Sequence, residues 1–253
     1  MRLDVVIPAH DEEHRIGRTL RAYRSICSSH DIRFLIALDD CRDRTAEIVR
    51  WHASEDPRVE LHEYRRLGKG GVIMETFRCS DAEFVGFVDA DCATPPTELL
   101  RLAQIAALSD GAIASRRHPA AVLPAPRSLG RRLASAGFAF WVRQLFRLPY
   151  RDTQCGAKVL RRRVIDAVVP LLSSRDFLFD VDLLLVTRAL GFHIVEVPTI
   201  WIDRDGSRLR VINDSRRMAA SSLRLWVHHR GLSMHPANWT VAAEPVEHAH
   251  VQS

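Results

Sequence analysis

The first hundred residues alternate short apolar runs with segments of helical periodicity. Apolar side chains recur every three or four residues in an amphipathic helix, whereas a strand buried on both faces is apolar throughout. By this pattern the predicted strands span residues 3–7, 34–38, 59–64 and 84–88, and the predicted helices span 12–26, 45–53 and 70–79. Such alternation is typical of a mostly parallel sheet flanked by helices, so the sequence predicts an α/β fold.

The rest of the chain continues this alternation after an interruption. Residues 110–127 contain one glycine and three prolines and are predicted to form a loop. Predicted helices follow at 129–146, 164–172, 181–190 and 213–229, with a predicted strand at 193–197. We expect a single domain over residues 1–230 and a flexible tail over 231–253, where no periodicity is present.

Polar and acidic residues stand where three of the predicted strands end. In chain order they are Pro8, Ala9, His10, Asp11 and Glu12, then Asp39 and Asp40, then Asp89, Ala90 and Asp91. In parallel α/β sheets, ligands bind beyond the carboxyl ends of the strands. The sequence therefore predicts a binding site at this edge of the sheet.

Asp89 and Asp91 are candidate metal ligands. Two carboxylates one residue apart at a strand end can both reach a hard divalent cation, so the pair predicts Mg²⁺ or Mn²⁺. Such a cation would bridge a diphosphate and offset charge on a departing nucleotide. A solvated acidic turn is the alternative, but the apolar run Phe84–Val88 places the pair at the rim of the sheet and favours the metal site.

Asp39 and Asp40 have a binding and a structural interpretation. Their carboxylates would accept hydrogen bonds from a nucleobase or ribose. Alternatively, they would cap the helix that begins near Thr45, a role equally open to Asp43.

Two further segments also have both a binding and a structural interpretation. Lys69, in the glycine-rich segment 68–71, would face a phosphate, or the segment is a plain turn. The polar segment 152–158, which contains Asp152 and Gln154, would contact an acceptor or a leaving group, or would brace the site as a hydrogen-bonded turn.

The net charge of +5 and a pI near 9.2 favour anionic partners: phosphates, an acidic membrane surface or nucleic acid. Arg116, Arg117 and Arg131 lie in or beside the predicted loop, where a guanidinium can clamp a phosphate with two hydrogen bonds, or where it is simply solvated. No nucleic-acid-reading motif is present, so we expect no nucleic-acid partner and keep a basic binding module only as an unfavoured alternative.

The five cysteines are scattered without a CxxC pair, which argues against a disulfide framework or a zinc site and favours a cytoplasmic protein. We recognise no signal peptide and no segment apolar enough to cross a bilayer. Helices 129–146 and 213–229 combine basic with aromatic and aliphatic residues. This predicts peripheral attachment to the cytoplasmic face of a membrane, or else packing of both helices on the core.

Taken together, nine segments resemble family 2 glycosyltransferases of the GT-A fold, especially the polyprenyl-phosphate sugar synthases such as dolichyl-phosphate glucosyl- and mannosyltransferases. They are residues 5–13 (VVIPAHDEE), 38–40 (LDD), 68–71 (GKGG), 88–91 (VDAD), 114–116 (ASR), 152–156 (DTQCG), 179–182 (FDVD), 196–198 (EVP) and 206–208 (GSR). DTQCG is the most specific of them. The resemblance implies a GT-A, Rossmann-like fold over residues 3 to about 230.

The resemblance also implies roles for the candidate residues. The nucleotide-sugar donor would be held by Pro8, Ala9, Glu12, Asp39 or Asp40, Lys69 and Ala90. The metal, Mg²⁺ or Mn²⁺, would be bound by Asp89 and Asp91. Donor or acceptor phosphates would be contacted by Arg116 or Arg117, Arg131 and Ser135, and the catalytic set would include Asp152 and Gln154.

The predicted reaction moves a hexose from a nucleotide sugar, UDP-glucose before GDP-mannose, to a polyprenyl phosphate by single displacement with inversion. Ala93-Thr94 after the acidic residues favours the glucosyl branch of the family. A hydroxyl acceptor needs a general base, whereas a phosphate monoester with a second pKa of about 6 is already largely dianionic at neutral pH. The alternative is a soluble family 2 enzyme that acts on a small acid, a saccharide or another small molecule.

Overall fold

The structure, a computed structural model, describes residues 1–26, 30–124, 129–202, 211–232 and 239–241. Of residues 26, 129–134, 211–217 and 239–241 it describes the backbone alone. The elements, in chain order, are β1 Leu3–Ala9, α1 Ile16–Ile26, β2 Ile32–Asp39, α2 Thr45–Glu55, β3 Val59–Tyr64, α3 Gly68–Cys79, β4 Phe84–Val88, α4 Pro96–Ala106, β5 Gly111–Ser115, α5 Leu129–Phe146, β6 Ala157–Arg161, α6 Arg162–Val168, a 3₁₀ turn Val169–Leu171, α7 Phe179–Ala189, β7 Ile194–Pro198, α8 Val211–His229 and β8 Trp239–Val241.

Among the described residues, the strands form one sheet of eight in the order β3-β2-β1-β4-β6-β5-β7-β8. Strands β3, β2, β1 and β4 are parallel neighbours, as are β5, β7 and β8. Strand β6 runs antiparallel to both β4 and β5. The prediction of a mostly parallel α/β sheet is confirmed. The predicted strands and helices of the first ninety residues are all present, with ends shifted by a few residues.

Three strands (β5, β6 and β8) and a helix were not predicted from the sequence. The predicted loop 110–127 contains β5, and the predicted turn 152–158 ends inside β6. Strand β5 is built from small residues that carry little strand propensity, and its neighbours leave no room for larger ones. A Cβ at Gly111 would lie 2.3 Å from Leu160 Cδ2. Helix α4, which begins with Pro96 in its first turn, was not predicted.

Each face of the sheet has its own apolar layer, because side chains along a strand point alternately to either side. On β1, Val5 and Ile7 face the layer formed with α1, α2 and α4, whereas Val6 faces the layer formed with α3, α5, α6, α7 and α8. This three-layer arrangement leaves the strand ends as the open edge of the fold.

Helices α5 and α8 are present at the predicted positions and contact each other. The Trp141 indole donates a hydrogen bond to Ser222 Oγ at 3.0 Å. No helix in the described part of the chain combines the length and apolar composition that crossing a bilayer requires. Within the predicted tail, residues 239–241 pair with β7 as strand β8.

Candidate active site

The carboxyl ends of β1 and β2 open into a cleft of about 450 Å³, which we call the strand-end cleft. Its lining residues are His10, Asp11, Asp39, Asp40, Arg42, Arg66 and Gly68. Three of them, Asp11, Asp40 and Arg66, have left-handed backbone conformations with φ near +50°. Aspartate tolerates this region better than most residues, and such conformations cluster at ligand sites. The predicted edge therefore has the backbone character of a binding site.

Asp39 fixes the start of α3 and not that of α2. Its two carboxylate oxygens accept the backbone N–H groups of Leu67 at 2.8 Å and Gly68 at 2.9 Å. At α2 it is Asp43 that accepts the N–H of Thr45, at 2.9 Å. The expectation that Asp39 or Asp40 caps α2 is therefore wrong. Since each oxygen of Asp39 keeps a lone pair, its predicted contact with the nucleotide is still chemically open.

Asp40 is held by the neighbouring Arg66. The Arg66 Nε donates to Asp40 Oδ2 at 2.7 Å, and this hydrogen bond lowers the pKa of the Asp40 carboxyl. The lowered pKa keeps Asp40 ionised and acceptor-only, as a contact to ribose or base hydroxyl and amine groups requires.

The loop after β1 is tied to the loop after β2. The Glu12 backbone N–H donates to Thr45 Oγ1 at 2.7 Å, and the Cys41 thiol lies 3.4 Å from the Ala9 carbonyl oxygen. The Glu12 carboxylate accepts two hydrogen bonds from Arg15, at 2.5 and 2.7 Å. Pro8 and Ala9 are thus the last two residues of β1, directly before His10 of the cleft, while Glu12 is an ion-pair partner of Arg15.

Asp89 and Asp91, hereafter the acidic pair, follow β4 as predicted. The Lys69 ammonium lies 2.8 Å from Asp89 Oδ1 and 3.6 Å from Asp180 Oδ2. Burial of Lys69 opposes its charged form, but the two carboxylates raise its pKa well above the usual range. A permanent positive charge therefore stands beside Asp89, and a contact of Lys69 with a phosphate stays a prediction.

Asp91 accepts the N–H of Ala93 at 2.9 Å. Burial, and then the negative charge of Asp89, raise the pKa of the Asp91 carboxyl. A carboxylate whose ionised form is disfavoured by a second, nearby carboxylate suits a divalent cation, because the cation's charge relieves the repulsion and its preferred ligands are oxygens. Among the described residues, no three His, Cys, Asp or Glu side chains are grouped as a complete cation site, so the acidic pair is a partial ligand set.

Glycines at the site permit close approaches between segments of the protein. A Cβ at Gly156 would lie 1.8 Å from Asp89 Oδ2, so the segment 152–156 reaches the acidic pair through a residue without a side chain. A Cβ at Gly70 would lie 2.4 Å from the Phe179 Cβ. The glycines of segment 68–71 therefore allow α7 and the loop before it to pack closely against this segment. The sequence did not predict this close packing.

Asp152 braces the site from inside. It accepts two side-chain hydrogen bonds from Arg116, at 2.7 and 2.9 Å, and the Arg116 guanidinium stacks on Trp201 with its carbon 4.8 Å from the ring centre. Burial disfavours the carboxylate, but the charge and hydrogen bonds of Arg116 outweigh it and lower the pKa of Asp152 to about 2. The Asp152 N–H donates to the buried Glu196 at 2.9 Å. These contacts favour the bracing interpretation for both Asp152 and Arg116.

The remaining predicted residues are placed as follows. The N–H of Gln154 donates to Asp152 Oδ1 at 3.3 Å, and the carbonyl of Ala90 accepts the Thr19 hydroxyl at 2.7 Å. Arg117 donates to Ser135 Oγ at 2.8 Å, which joins the end of β5 to α5. Burial raises the pKa of the Cys155 thiol to about 12, so it stays protonated and is not a nucleophile.

The side chain of Arg131 lies outside the described residues, as do residues 206–208 of the resemblance. A contact of Arg131, Arg117 or Ser135 with phosphate remains a prediction.

The sequence model of glycosyl transferase family 2 matches residues 4–168, which include both loops of the cleft, the acidic pair and Asp152. The chain belongs to glycosyl transferase family 2.

Several curated glycosyltransferases are similar to this chain. It is 31% identical to a dolichyl-phosphate beta-glucosyltransferase of Drosophila melanogaster, over 90% of this chain and 76% of the relative. An undecaprenyl-phosphate mannosyltransferase of Micrococcus luteus is 29% identical, over 81% and 85% of the two chains. Glycosyltransferase AglD of Haloferax volcanii is 28% identical over 89% of this chain, which spans only 37% of AglD.

Solved structures support the GT-A fold of this family member. Glucosyl-3-phosphoglycerate synthase from Mycobacterium tuberculosis, crystallised with Mn²⁺, uridine diphosphate and phosphoglyceric acid, superposes with a TM-score of 0.68. The superposition covers 89% of this chain and 78% of the synthase at 13% identity. The predicted GT-A fold and the predicted family are both confirmed.

Several residues of this glycosyltransferase site had no role in the sequence analysis. Asp180 and Glu196 were noticed only as parts of motifs, and Lys158 only as the end of a polar segment. In the structure, Lys158 is buried, forms an ion pair with Asp180 and donates to the Cys155 carbonyl at 2.9 Å. A charged residue inside a five-residue strand was the available signal, because a buried charge requires a partner.

Proposed function

We propose that this chain transfers glucose from UDP-glucose to a polyprenyl phosphate. The observation that carries the proposal is the acidic pair, set at the rim of the sheet beside the strand-end cleft and next to the partly buried Lys69 ammonium. The similar dolichyl-phosphate glucosyltransferases and undecaprenyl-phosphate mannosyltransferase support a polyprenyl-phosphate acceptor. GDP-mannose is the second donor to be tested.

The proposed mechanism is a single displacement with inversion at the anomeric carbon. Asp89 and Asp91 would hold Mg²⁺ or Mn²⁺, which neutralises charge on the leaving diphosphate when bound. Asp39 and Asp40 would orient the nucleoside through their carboxylate oxygens. Lys69 would add fixed positive charge on the phosphate side of Asp89.

The site does not need a general base if the acceptor is a phosphate dianion. The acceptor would be positioned by Arg117 and Ser135, which are hydrogen-bonded to each other at 2.8 Å, and by Arg131 on α5. Asp152 would hold Arg116 and the segment 152–156 in place against Asp89, where a Cβ at position 156 would lie 1.8 Å from Asp89 Oδ2.

Peripheral membrane attachment is part of the proposal. Helices α5 and α8 expose a set of large apolar side chains, the α5–α8 surface, formed by Phe140, Trp141, Leu223, Trp226 and Val227. Phe140 is 66% exposed and Trp226 is 42% exposed. With exposed arginines at 143 and 230 nearby in the chain, such a surface suits the interface of an anionic bilayer.

The test is a matrix of two radiolabelled donors, UDP-glucose and GDP-mannose, against undecaprenyl phosphate and 3-phosphoglycerate, each with and without Mn²⁺. We expect label to enter the lipid fraction from UDP-glucose, only with Mn²⁺ present. Transfer to 3-phosphoglycerate instead would establish a water-soluble acceptor. Transfer from GDP-mannose alone would overturn the donor assignment.

A pair of variants ties the result to the site. Asp89→Asn should strongly lower transfer, whereas Asp166→Asn, which removes an exposed carboxylate of α6 that pairs with Arg162 at 2.7 Å, should leave it unchanged. Equal loss in both variants would point to a general effect of charge and contradict the role of Asp89.

A further inference from the structure

A second cleft, of about 560 Å³, lies on the other side of the α3 start and is here called the α3–α8 cleft. Three arginines line it (Arg66, Arg175 and Arg224), together with His228 and a single carboxylate, Asp176. Ser173, Ser174 and Ser221 add hydroxyl groups, and Leu67 and Leu225 add apolar surface. This combination of guanidinium, hydroxyl and apolar groups is suited to a phosphate ester with a small organic part.

Two of these arginines lack a counter-charge. Within the described residues, neither Arg175 nor Arg224 forms an ion pair with a carboxylate. Asp176 is engaged elsewhere, since its Oδ1 accepts the N–H of Leu178 at 2.8 Å and the Ser174 hydroxyl at 3.0 Å. The positive potential of Arg175 and Arg224 is therefore available to an anion.

The wall of the α3–α8 cleft is fixed in place by a buried network. Asp182 Oδ2 accepts the N–H groups of Ser173 and Ser174, each at 2.7 Å, and Asp182 Oδ1 lies 2.7 Å from His229 Nε2. The Arg175 carbonyl accepts the N–H of Gly71 at 3.2 Å. The loop and α8 are thus held together before any ligand arrives, which lowers the entropic cost of binding.

This cleft opens away from the proposed membrane-facing side. With 3.6 residues per helical turn, the cleft residues Ser221, Arg224, Leu225 and His228 occupy one side of α8. Leu223, Trp226 and Val227 of the α5–α8 surface occupy the opposite side. A dissolved phosphate is therefore favoured over a lipid headgroup as the ligand of this cleft. This preference rests on the membrane orientation proposed above.

Arg66 belongs to both clefts. It lines the α3–α8 cleft, and its Nε binds Asp40 in the strand-end cleft at 2.7 Å. An anion that draws the guanidinium of Arg66 towards itself weakens its bond to Asp40. The two clefts are thereby linked through one side chain.

We propose that the α3–α8 cleft binds a water-soluble phosphate-bearing small molecule and that its occupancy changes the affinity of the strand-end cleft for its nucleotide. The site is separate from the acidic pair. It adds a regulatory ligand to the proposed donor and acceptor.

The first experiment measures the dissociation constant of inorganic phosphate by calorimetry at constant ionic strength. The full chain is titrated alone, and then with UDP and Mn²⁺ filling the strand-end cleft. We expect phosphate to bind in both conditions and at least about tenfold more weakly in the R175Q/R224Q variant, because two charge-assisted contacts are lost. The matched control R143Q/R230Q removes one exposed arginine of α5 and one directly after α8, and it should bind phosphate as the parent does.

Three results would overturn the assignment. One is equal phosphate affinity in the parent and in R175Q/R224Q. Another is loss of phosphate binding when UDP and Mn²⁺ are present, which would place the anion in the strand-end cleft. A third is competition between phosphate and vesicles of phosphatidylglycerol, which would make the ligand a lipid headgroup.

The link between the clefts is tested by the UDP dissociation constant, with and without saturating phosphate. We expect a shift of at least about threefold in the parent and none in R175Q/R224Q. An unshifted value in the parent would refute the link. The phosphate titration without UDP does not depend on the donor assignment, so failure of UDP to bind at all would count against the proposed function and leave the phosphate result intact.

Discussion

The strand-end cleft and the α5–α8 surface differ in how their functional groups are held. Around the cleft, Asp39, Asp40 and Asp89 each have a hydrogen-bonded or charged partner contributed by α3 or the loop before it. On the α5–α8 surface, large apolar side chains such as Phe140 and Trp226 project into solvent. A site that recognises a small anion needs fixed polar geometry, whereas a surface that meets lipid needs exposed apolar area.

The largest expected effect is on stability, and it tests whether the buried contacts of Asp152 stabilise the edge of the sheet at which the site lies. Asp152→Asn leaves the mostly buried Arg116 without a counter-charge, so we expect the free energy of unfolding to fall by about 3–5 kcal/mol. Urea unfolding measures it. The exposed pair of Arg50 and Glu63 gives the control, since E63Q should cost less than about 1 kcal/mol.

If D152N fails to fold, the double variant R116M/D152N keeps this prediction testable, because removal of both charges avoids the unpaired cation. The pH dependence has a defined sign. Asp152 has a folded-state pKa of about 2, below its unfolded value, so its stabilisation is complete above about pH 4 and is lost as the pH falls towards 2. The melting temperature of the parent should therefore drop more steeply with acid than that of R116M/D152N.

The next effect concerns turnover at the acidic pair. We expect D89N/D91N to lower kcat/KM roughly 100- to 1000-fold, because charge on the leaving diphosphate is no longer offset. Calorimetric titration with Mn²⁺ should show weakened binding in the same variant. Unchanged Mn²⁺ affinity with lost activity would mean that the pair acts through Lys69 and not through a metal.

Alanine substitution at two glycines compares the edge of the sheet, at Gly156, with helix α5, at Gly137. Gly156→Ala would set a Cβ 1.8 Å from Asp89 Oδ2, so we expect a cost of about 1–3 kcal/mol and a loss of activity. Gly137→Ala on α5 meets nothing within 4 Å and should stabilise the helix by up to about 1 kcal/mol. Differential scanning calorimetry of both variants measures the contrast, and destabilisation by G137A would show that α5 is packed more tightly than its contacts indicate.

The smallest expected effect is confined to the α5–α8 surface. F140A/W226A should reduce partition into phosphatidylglycerol vesicles about tenfold or more, because two aromatic side chains no longer enter the interface. UDP affinity should not change. The control is W51A, which removes an exposed tryptophan from α2, and equal loss of partition in W51A would disprove a role for this surface.

The sequence predicted the cleft well because the cleft is assembled from strand ends. Where an apolar run of known direction stops, the next polar residues have to lie at the edge, and Asp39, Asp40 and Asp89 do. Helices α5 and α8 were equally visible through their periodicity. What the sequence revealed there was placement in the fold, and not which side chains pair.

The pairings across the sheet were not predictable because they join distant segments. Lys158 and Asp180 meet only once β6 and α7 are packed, and Arg116 finds Asp152 only because β5 and β6 are neighbours. Strand β5 was missed since glycine and alanine give no strand signal of their own. Its strand conformation depends on the neighbouring strands that bury it.

The reversed direction of β6 determines which segment lies against the acidic pair. Because β6 runs against β4, the residues that precede it, 152–156, reach the edge at which β4 finishes, and Gly156 touches Asp89. In our proposal the nucleotide is bound by residues at or directly after the ends of β1 and β2. A substitution in segment 152–156 should therefore disturb the acidic pair before it disturbs the nucleotide contacts proposed for Asp39 and Asp40.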